Sequence, residues 1–222
     1  MKIGIVQPPY PSGKREIFPK DVYDFIINTL KSMDKDLDLV VLPEYSNCPG
    51  VENKNDILDF CRRYSNNFLS IIAQIAKDKK VNIAANNIVY KNNYFKNLTY
   101  LFNRDGQIIA NYDKSHLTEY EKKSLSIYEG DGVYTTEAEN IKIGFITCFD
   151  IYFSEYFERI AVERPDIVIC PSYQRSEQSQ IIKSQTQGRA IDVNAYIIRA
   201  SYSFGDYSPV GGYSMIVNPW GE

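Results

Sequence analysis

The sequence predicts an α/β fold made of two similar halves, in which two β-sheets are sandwiched between helices. Short apolar strands alternate with segments of helical periodicity along the 222 residues. In addition, Lys2–Val6 is similar to Lys142–Ile146, and Leu37–Glu44 is similar to Pro165–Ser172. In both cases a strand, a helix and a second strand that ends in proline follow one another. This repeated order indicates a pseudo-twofold relation between the halves.

The first half supplies five of the predicted strands. They lie at 2–7, 38–42, 81–90, 94–103 and 107–112, and Arg104-Asp105-Gly106 forms a hairpin turn before the last one. Apolar residues at helical spacing predict a helix over Asp21–Met33, with Asp21 as its N-cap, and a second helix over Asp56–Lys79. A polar, irregular stretch is predicted at 113–131.

The second half repeats the pattern. Strands are predicted at 132–136, 141–147, 166–170, 195–201 and 212–218, and helices at 153–163 and 177–194. No linker or low-complexity segment divides the chain, so we expect a single domain over residues 1–222.

Bulk composition is that of an ordinary globular protein. The net charge of −3 gives no reason to expect nucleic acid or an anionic membrane as a partner. The amino terminus is predicted to be a strand and not a signal peptide, and no apolar run approaches the roughly 18 residues of a membrane span. The four cysteines, Cys48, Cys61, Cys148 and Cys170, lack CxxC spacing, so neither a zinc site nor a disulfide framework is expected. A reducing cytoplasm is the expected location.

Three chemically complementary residues each follow a predicted strand: Glu44, Lys114 and Cys148. Ligands of open α/β sheets bind at the carboxyl ends of strands, so these side chains are candidates for one site. Cys148 also precedes a helix, where backbone N–H groups favour a thiolate. The alternative is that Cys148 is a small buried apolar residue and that the other two are solvated.

If the three side chains converge, they form a set for covalent catalysis. Glu44 would accept the thiol proton of Cys148 and later activate a water molecule. Lys114 would lower the pKa of the thiol and, together with the amide N–H of Phe149, bind the oxyanion of a tetrahedral intermediate. We therefore expect Cys148 to react with iodoacetamide faster than the other three cysteines at neutral pH.

Five blocks of the chain resemble the nitrilase superfamily of carbon–nitrogen hydrolases. They are Leu39–Glu44, Tyr112–Leu117, Gly144–Asp150, Gly188–Asp192 and Gly211–Gly221, and they occur in the order found in the family. The resemblance implies a four-layer αββα sandwich, a Glu-Lys-Cys triad, and no metal or organic cofactor. It also implies a second glutamate after the lysine, for which Glu121 is the candidate and Glu119 the alternative. His116 is expected to have a local structural role.

The resemblance also narrows the reaction. Cys148-Phe149-Asp150 is similar to the nucleophile motif of amidase-like members, which implies hydrolysis of a small amide with release of ammonia. N-carbamoyl amide hydrolysis, a glutaminase module and an inactive binding protein of the same fold remain alternatives. Tyr152 stands where relatives commonly have an arginine, so a contact between that position and a substrate carboxylate is not expected.

Aromatic side chains are predicted to line the substrate site. The substrate-binding candidates are Tyr45, Phe149, Tyr152 and Tyr173, with Tyr120 and Tyr207 as further pocket residues. Arg175 is an alternative anion contact or a loop arginine. The sequence ends at Glu222, where relatives usually continue, so we expect the usual carboxyl-terminal strand and tail to be missing. The resemblance implies a homodimer or higher homo-oligomer.

Overall fold

The computed structural model describes residues 1–205 and 208–222. Its helices are α1 (Pro19–Ser32), α2 (Lys54–Phe60), α3 (Phe68–Lys79), α4 (Glu119–Lys123), α5 (Ser154–Glu163) and α6 (Ser179–Val193). Its strands are β1 (Ile3–Ile5), β2 (Leu39–Val41), β3 (Asn82–Lys91), β4 (Tyr94–Phe102), β5 (Ile108–Asp113), β6 (Thr135–Ala138), β7 (Ile141–Phe145), β8 (Ile167–Pro171), β9 (Tyr196–Ala200) and β10 (Met215–Val217). Short 3₁₀ helices cover Gly13–Arg15 and Cys148–Tyr152.

The strands form two five-stranded sheets, ordered β1-β2-β3-β4-β5 and β10-β9-β8-β7-β6. In the first sheet β1, β2 and β3 are parallel, and β4 and β5 continue it as antiparallel strands. In the second sheet β7, β8 and β9 are parallel, with antiparallel strands at both edges. Helices connect the parallel strands of each sheet, which is how parallel neighbours are normally joined.

Matching hydrogen bonds show the predicted internal symmetry. Asp38, before β2, accepts from the Lys2 N–H at 2.7 Å and donates its own N–H to the Lys2 carbonyl at 2.8 Å. In the second half, Asp166 accepts from the Lys142 N–H at 2.8 Å and donates to the Lys142 carbonyl at 2.8 Å. The same side chain therefore fixes the same pair of strands in each half.

Alternation along β2 defines the layers. Val40 packs into a core shared with α1 and α3, which contribute residues such as Ile26 and Ile72. Leu39 and Val41 point to the opposite face and pack into a second core with the other sheet and with α5 and α6. The order of layers is therefore helix, sheet, sheet, helix, and the predicted αββα sandwich is confirmed.

Local boundaries differ from the sequence prediction in four places. The helix expected over Asp56–Lys79 is divided into α2 and α3 by a wide π-helical turn at Cys61–Ser65. Asp21 lies in the first turn of α1 and not at its N-cap, and it accepts a hydrogen bond from the Phe18 N–H at 3.0 Å. The strand expected at 132–136 lies at β6, and the short helix α4 lies within the stretch predicted to be irregular. Within the described residues, no helix has the length and apolar character of a membrane span.

Candidate active site

Glu44, Lys114 and Cys148 meet at one end of the sandwich. Each follows the carboxyl end of a strand, β2, β5 and β7 respectively, and all three line a cleft of about 280 Å³. Their placement follows from the topology, because parallel β2 and β7 direct their carboxyl ends toward the same edge of the two sheets. The structure thus brings together the three residues that the sequence singled out.

Lys114 is buried between two carboxylates. Its Nζ lies 2.8 Å from Glu44 Oε1, 2.8 Å from Glu121 Oε1 and 2.9 Å from Glu121 Oε2. The side chains of Lys114 and Glu44 are each 1% exposed, so solvent hardly screens their interaction. Glu119, the alternative to Glu121, is exposed and pairs with Lys123 at 2.6 Å.

Glu121 is held in position by the start of α4. Its Oε2 accepts hydrogen bonds from the Thr118 N–H at 2.9 Å and the Thr118 hydroxyl at 3.0 Å, and its own N–H donates to Thr118 Oγ1. This reciprocal capping box fixes the first turn of the helix. The Tyr45 hydroxyl donates to Glu121 Oε1 at 3.0 Å. These hydrogen bonds fix the Glu121 carboxylate, so that it can orient Lys114.

A buried polar layer beneath the carboxylates was missed at the level of the sequence. Asn97 Nδ2 donates to Glu44 Oε1 at 2.9 Å and to Glu121 Oε1 at 3.2 Å. Asn86 Nδ2 in turn donates to Asn97 Oδ1 at 2.7 Å, which orients the Asn97 amide. A signal was present, because Asn97 and Thr99 share the buried face of β4 with Phe95 and Leu101, where apolar residues would be expected.

Cys148 begins a tight turn with unusual backbone geometry. Its φ of 47° lies in the left-handed region, which side chains other than glycine adopt at a cost. The turn is fixed by Asp150, whose carboxylate accepts from the Thr147 N–H at 2.7 Å and from the Tyr112 hydroxyl at 2.9 Å. Strain at this residue is compatible with a nucleophile that must project from the end of β7 into the cleft.

His116 supports the same turn. Its N–H donates to Asp150 Oδ1 at 2.8 Å, its Nδ1 lies 2.9 Å from the same oxygen, and its ring stacks on Phe153 at 3.8 Å between centroids. These contacts agree with the local structural role expected for the only histidine in the chain. They also link the segment that carries Lys114 to the turn that carries Cys148.

Burial opposes the thiolate form that the end of a strand and the start of a helix were expected to favour at Cys148. Burial and the nearby Glu44 carboxylate raise the pKa of the Cys148 thiol well above its ordinary value. Lys114 and the Tyr173 backbone N–H lower that pKa, but by less. The turn after the cysteine is also a five-residue 3₁₀ helix and not the start of α5, so it provides little helix dipole. Cys148 therefore rests as a thiol that needs a base.

Cys61 is a second cysteine whose ionisation bears on labelling by thiol reagents. The pKa of Cys61 is lowered, chiefly by its hydrogen bond with Cys48, and Cys61 is only partly buried. A general thiol reagent at neutral pH should therefore not single out Cys148 on ionisation alone.

Glu44 is placed to act as that base. Burial raises the pKa of the Glu44 carboxyl, although the Lys114 ammonium opposes the shift. For Glu121, burial again acts to raise the pKa, but Lys114 and Thr118 outweigh it and the pKa is lowered. The pKa of Lys114 is raised well above its ordinary value, because the surrounding carboxylates outweigh its burial. The Lys114 ammonium thus lies beside a carboxylate of lowered pKa, Glu121, and a carboxylate of raised pKa, Glu44.

The walls of the cleft are aromatic and polar. Of the predicted aromatic residues, Tyr45, Tyr120, Phe149 and Tyr173 line it. Tyr152 contacts the lining through its hydroxyl, which accepts from Gln174 Nε2 at 3.2 Å. Tyr207 lies outside the described residues. Arg175 also lines the cleft, where it pairs with Glu52 and lies over the Tyr173 ring at 5.2 Å.

No set of metal ligands is formed at this site. In the part of the chain that the structure describes, there is no group of three or more His, Cys, Asp or Glu side chains that could hold a metal ion. Lys114 occupies the position between the carboxylates of Glu44 and Glu121.

The raised pKa of Glu44 predicts the acid limb of the pH profile. If ionised Glu44 is the base, kcat/KM has its full value above the pKa of Glu44 and decreases as the pH falls through that pKa. This limb should lie above the range of an exposed glutamate. Asn97→Leu removes a donor to the carboxylate and should shift the limb to higher pH. This role would be contradicted by an acid limb at the pKa of an ordinary glutamate that does not move when Asn97 is replaced by Leu.

An αββα sandwich with a cysteine, a lysine and two glutamates in one cleft is the architecture of the nitrilase superfamily. The chain belongs to the carbon–nitrogen hydrolase family, whose model matches residues 2–222. The expected family is therefore confirmed, and the chain is a hydrolase of carbon–nitrogen bonds.

Relatives with assigned names agree with this membership. The chain is 28% identical over 201 residues to the "Hydrolase in agr operon" of Staphylococcus aureus, an alignment that covers 86% of this chain and 74% of the relative. It is 25% identical over 198 residues to the 2-oxoglutaramate amidase of Bacillus subtilis (strain 168), with 87% and 74% covered. The crystal structure of an amidase from Nesterenkonia sp. superposes with a TM-score of 0.80 at 17% identity, covering 100% of this chain and 84% of that one.

Proposed function

We propose that the protein is an amidase that hydrolyses a small-molecule amide through a thioester on Cys148. The observation that carries the proposal is the buried contact of Lys114 with both Glu44 and Glu121, in the cleft that the Cys148 thiol also lines. A lysine enclosed by two carboxylates stays charged at neutral pH, and a buried carboxylate of raised pKa suits a general base.

In the first step, Glu44 removes the thiol proton as Sγ of Cys148 attacks the amide carbonyl carbon. The negative charge that develops on the carbonyl oxygen is stabilised by Lys114 and by the Phe149 N–H. The S–C bond is then complete, the C–N bond breaks, and Glu44 passes its proton to the leaving nitrogen, so ammonia departs. In the second step Glu44 deprotonates a water molecule, which attacks the thioester and releases the carboxylic acid and the thiol.

Related crystal structures support a cysteine nucleophile. Those of the Nesterenkonia amidase describe addition of acrylamide and of the acetamide moiety of fluoroacetamide at the active-site cysteine. Another describes a cysteine-to-alanine mutant in complex with butyramide. Because identity to this amidase is only 17%, these observations guide the choice of test substrates and do not define the substrate here.

A panel of small amides tests the proposal. Purified protein should release ammonia from butyramide and from at least one larger amide, with an equal amount of carboxylic acid. Release of carbon dioxide together with ammonia from N-carbamoyl amines would favour the carbamoyl alternative. A glutaminase module would prefer glutamine. No turnover of any compound would favour the inactive binding protein of the same fold.

We also propose a cytoplasmic location and a homo-oligomer. A reducing compartment would keep the Cys148 thiol available, and all four cysteines are free in the structure. The oligomer is proposed from the family resemblance, and the mass in solution tests it.

A further inference from the structure

The charged side chains that line the cleft carry an excess of negative charge. The lining contains four carboxylates and two cations: Glu44, Glu52, Glu121, Glu177, Lys114 and Arg175. Lys114 is bound to Glu44 and Glu121, and Arg175 donates a hydrogen bond to Glu52. Both cations are therefore already paired with carboxylates of the protein. An incoming anion would have to compete with one of these pairs.

Glu177 is the carboxylate without a cation. Across residues 1–205 and 208–222, no lysine or arginine lies within ion-pair distance of it, and the two residues outside that range are an aspartate and a tyrosine. Its backbone is anchored, because the Gly211 N–H donates to the Glu177 carbonyl at 2.8 Å. The side chain is half-buried at the cleft. Its Oε2 accepts a hydrogen bond from the Ser176 N–H at 3.3 Å.

Aromatic residues, among them Phe149 and Tyr173, line the same cleft as this carboxylate. The guanidinium of Arg175 lies 5.2 Å from the Tyr173 ring centroid, so this wall already accommodates a cation of the protein itself. Phe149 and Tyr152 lie next to each other, with ring centroids 5.3 Å apart. Aromatic faces beside an unpaired carboxylate are the usual surroundings of a bound ammonium group.

We propose that the amide substrate carries a cationic group, such as an ammonium, at the end remote from the scissile bond, and that Glu177 and the aromatic wall bind it. The inference rests on the proposed amide hydrolysis and adds the substrate class. The proposed substrate is cationic, whereas 2-oxoglutaramate, after which the Bacillus subtilis relative is named, bears a carboxylate.

Three amides of similar size and different charge test the inference: γ-aminobutyramide, butyramide and succinamate. We expect kcat/KM for γ-aminobutyramide to exceed that for succinamate about tenfold, with butyramide between them, because an ion pair at a partly exposed site and a cation–π contact each add a modest stabilisation. The advantage should shrink as salt is added. Equal or faster hydrolysis of succinamate would overturn the inference.

Two variants locate the effect. Glu177→Gln should reduce the ratio of kcat/KM between γ-aminobutyramide and succinamate several-fold, and Glu177→Lys should reverse the preference. Glu158→Gln, on the exposed face of α5 and outside the cleft, is the matched control and should leave the ratio as in the wild type. A ratio that Glu177→Gln does not change would overturn the role of Glu177.

Binding separates this inference from the proposed function. Calorimetry with Cys148→Ala should give the same order of affinity, with γ-aminobutyramide tightest, and this order supports the charge preference even if no amide is turned over. Turnover of butyramide without any advantage for the ammonium compound would overturn the inference alone. Absence of turnover for all three amides would overturn the proposed hydrolysis.

Discussion

Cys148→Ala is expected to abolish release of ammonia from butyramide, with kcat reduced about 10⁴-fold or more, because the other three cysteines are not among the residues that line the cleft. The fold should survive, since the substitution removes one sulfur atom from a side chain that lines a cleft. The measurement is ammonia release under saturating substrate, with circular dichroism as the check on folding.

The matched control is Cys61→Ala. Cys61 is the partly buried thiol of lowered pKa and does not line the cleft, so its loss should leave turnover within a few-fold of the wild type. Ordinary turnover by Cys148→Ala, or equal losses in both variants, would contradict a nucleophilic role for Cys148.

Lys114→Met is expected to lower the free energy of unfolding by about 3 kcal/mol, a typical cost of removing one partner of a buried ion pair. Glu44 and Glu121 would then face each other in the interior without a cation, connected through Asn97. For a chain of this length the melting temperature should fall by about 10 °C. The deficit should shrink at low pH, because protonation neutralises the two carboxylates.

Lys123→Met provides the control for this change. Lys123 pairs with Glu119 on the surface, with 79% of its side chain exposed, so its loss should change stability by less than about 0.5 kcal/mol. The double variant Lys114→Met/Glu121→Gln should recover part of the lost stability, since one buried charge is removed with the other. Urea unfolding measures all three variants. A loss for Lys114→Met no larger than that for Lys123→Met would contradict the buried network.

The architecture could be predicted because it depends on local patterns. Strand ends, apolar periodicity and the paired segments 37–44 and 165–172 are properties of neighbouring residues, and the matching contacts of Asp38 and Asp166 confirm the symmetry. The family resemblance supplied what those patterns do not contain, namely the layer order and the choice of Glu121 over Glu119.

The site was predicted only in part. The Thr118-to-Glu121 capping box is visible in the sequence and would have predicted α4, which was missed. The Asn86–Asn97 contact joins two strands and depends on their register. The pKa of Cys148 depends on burial and on the distance to Glu44, and both arise from contacts between residues far apart in the chain.

The central claim is that a carboxylate, an ammonium and a thiol converge so that sulfur takes the acyl group. Mass spectrometry of protein quenched in acid during turnover of butyramide tests it most directly. A butyryl group is expected on the peptide that contains Cys148, and it should form more slowly when Glu44 is replaced by Gln. Release of butyrate and ammonia with no acyl group on that peptide, or with the group on Cys48, Cys61 or Cys170, would contradict it.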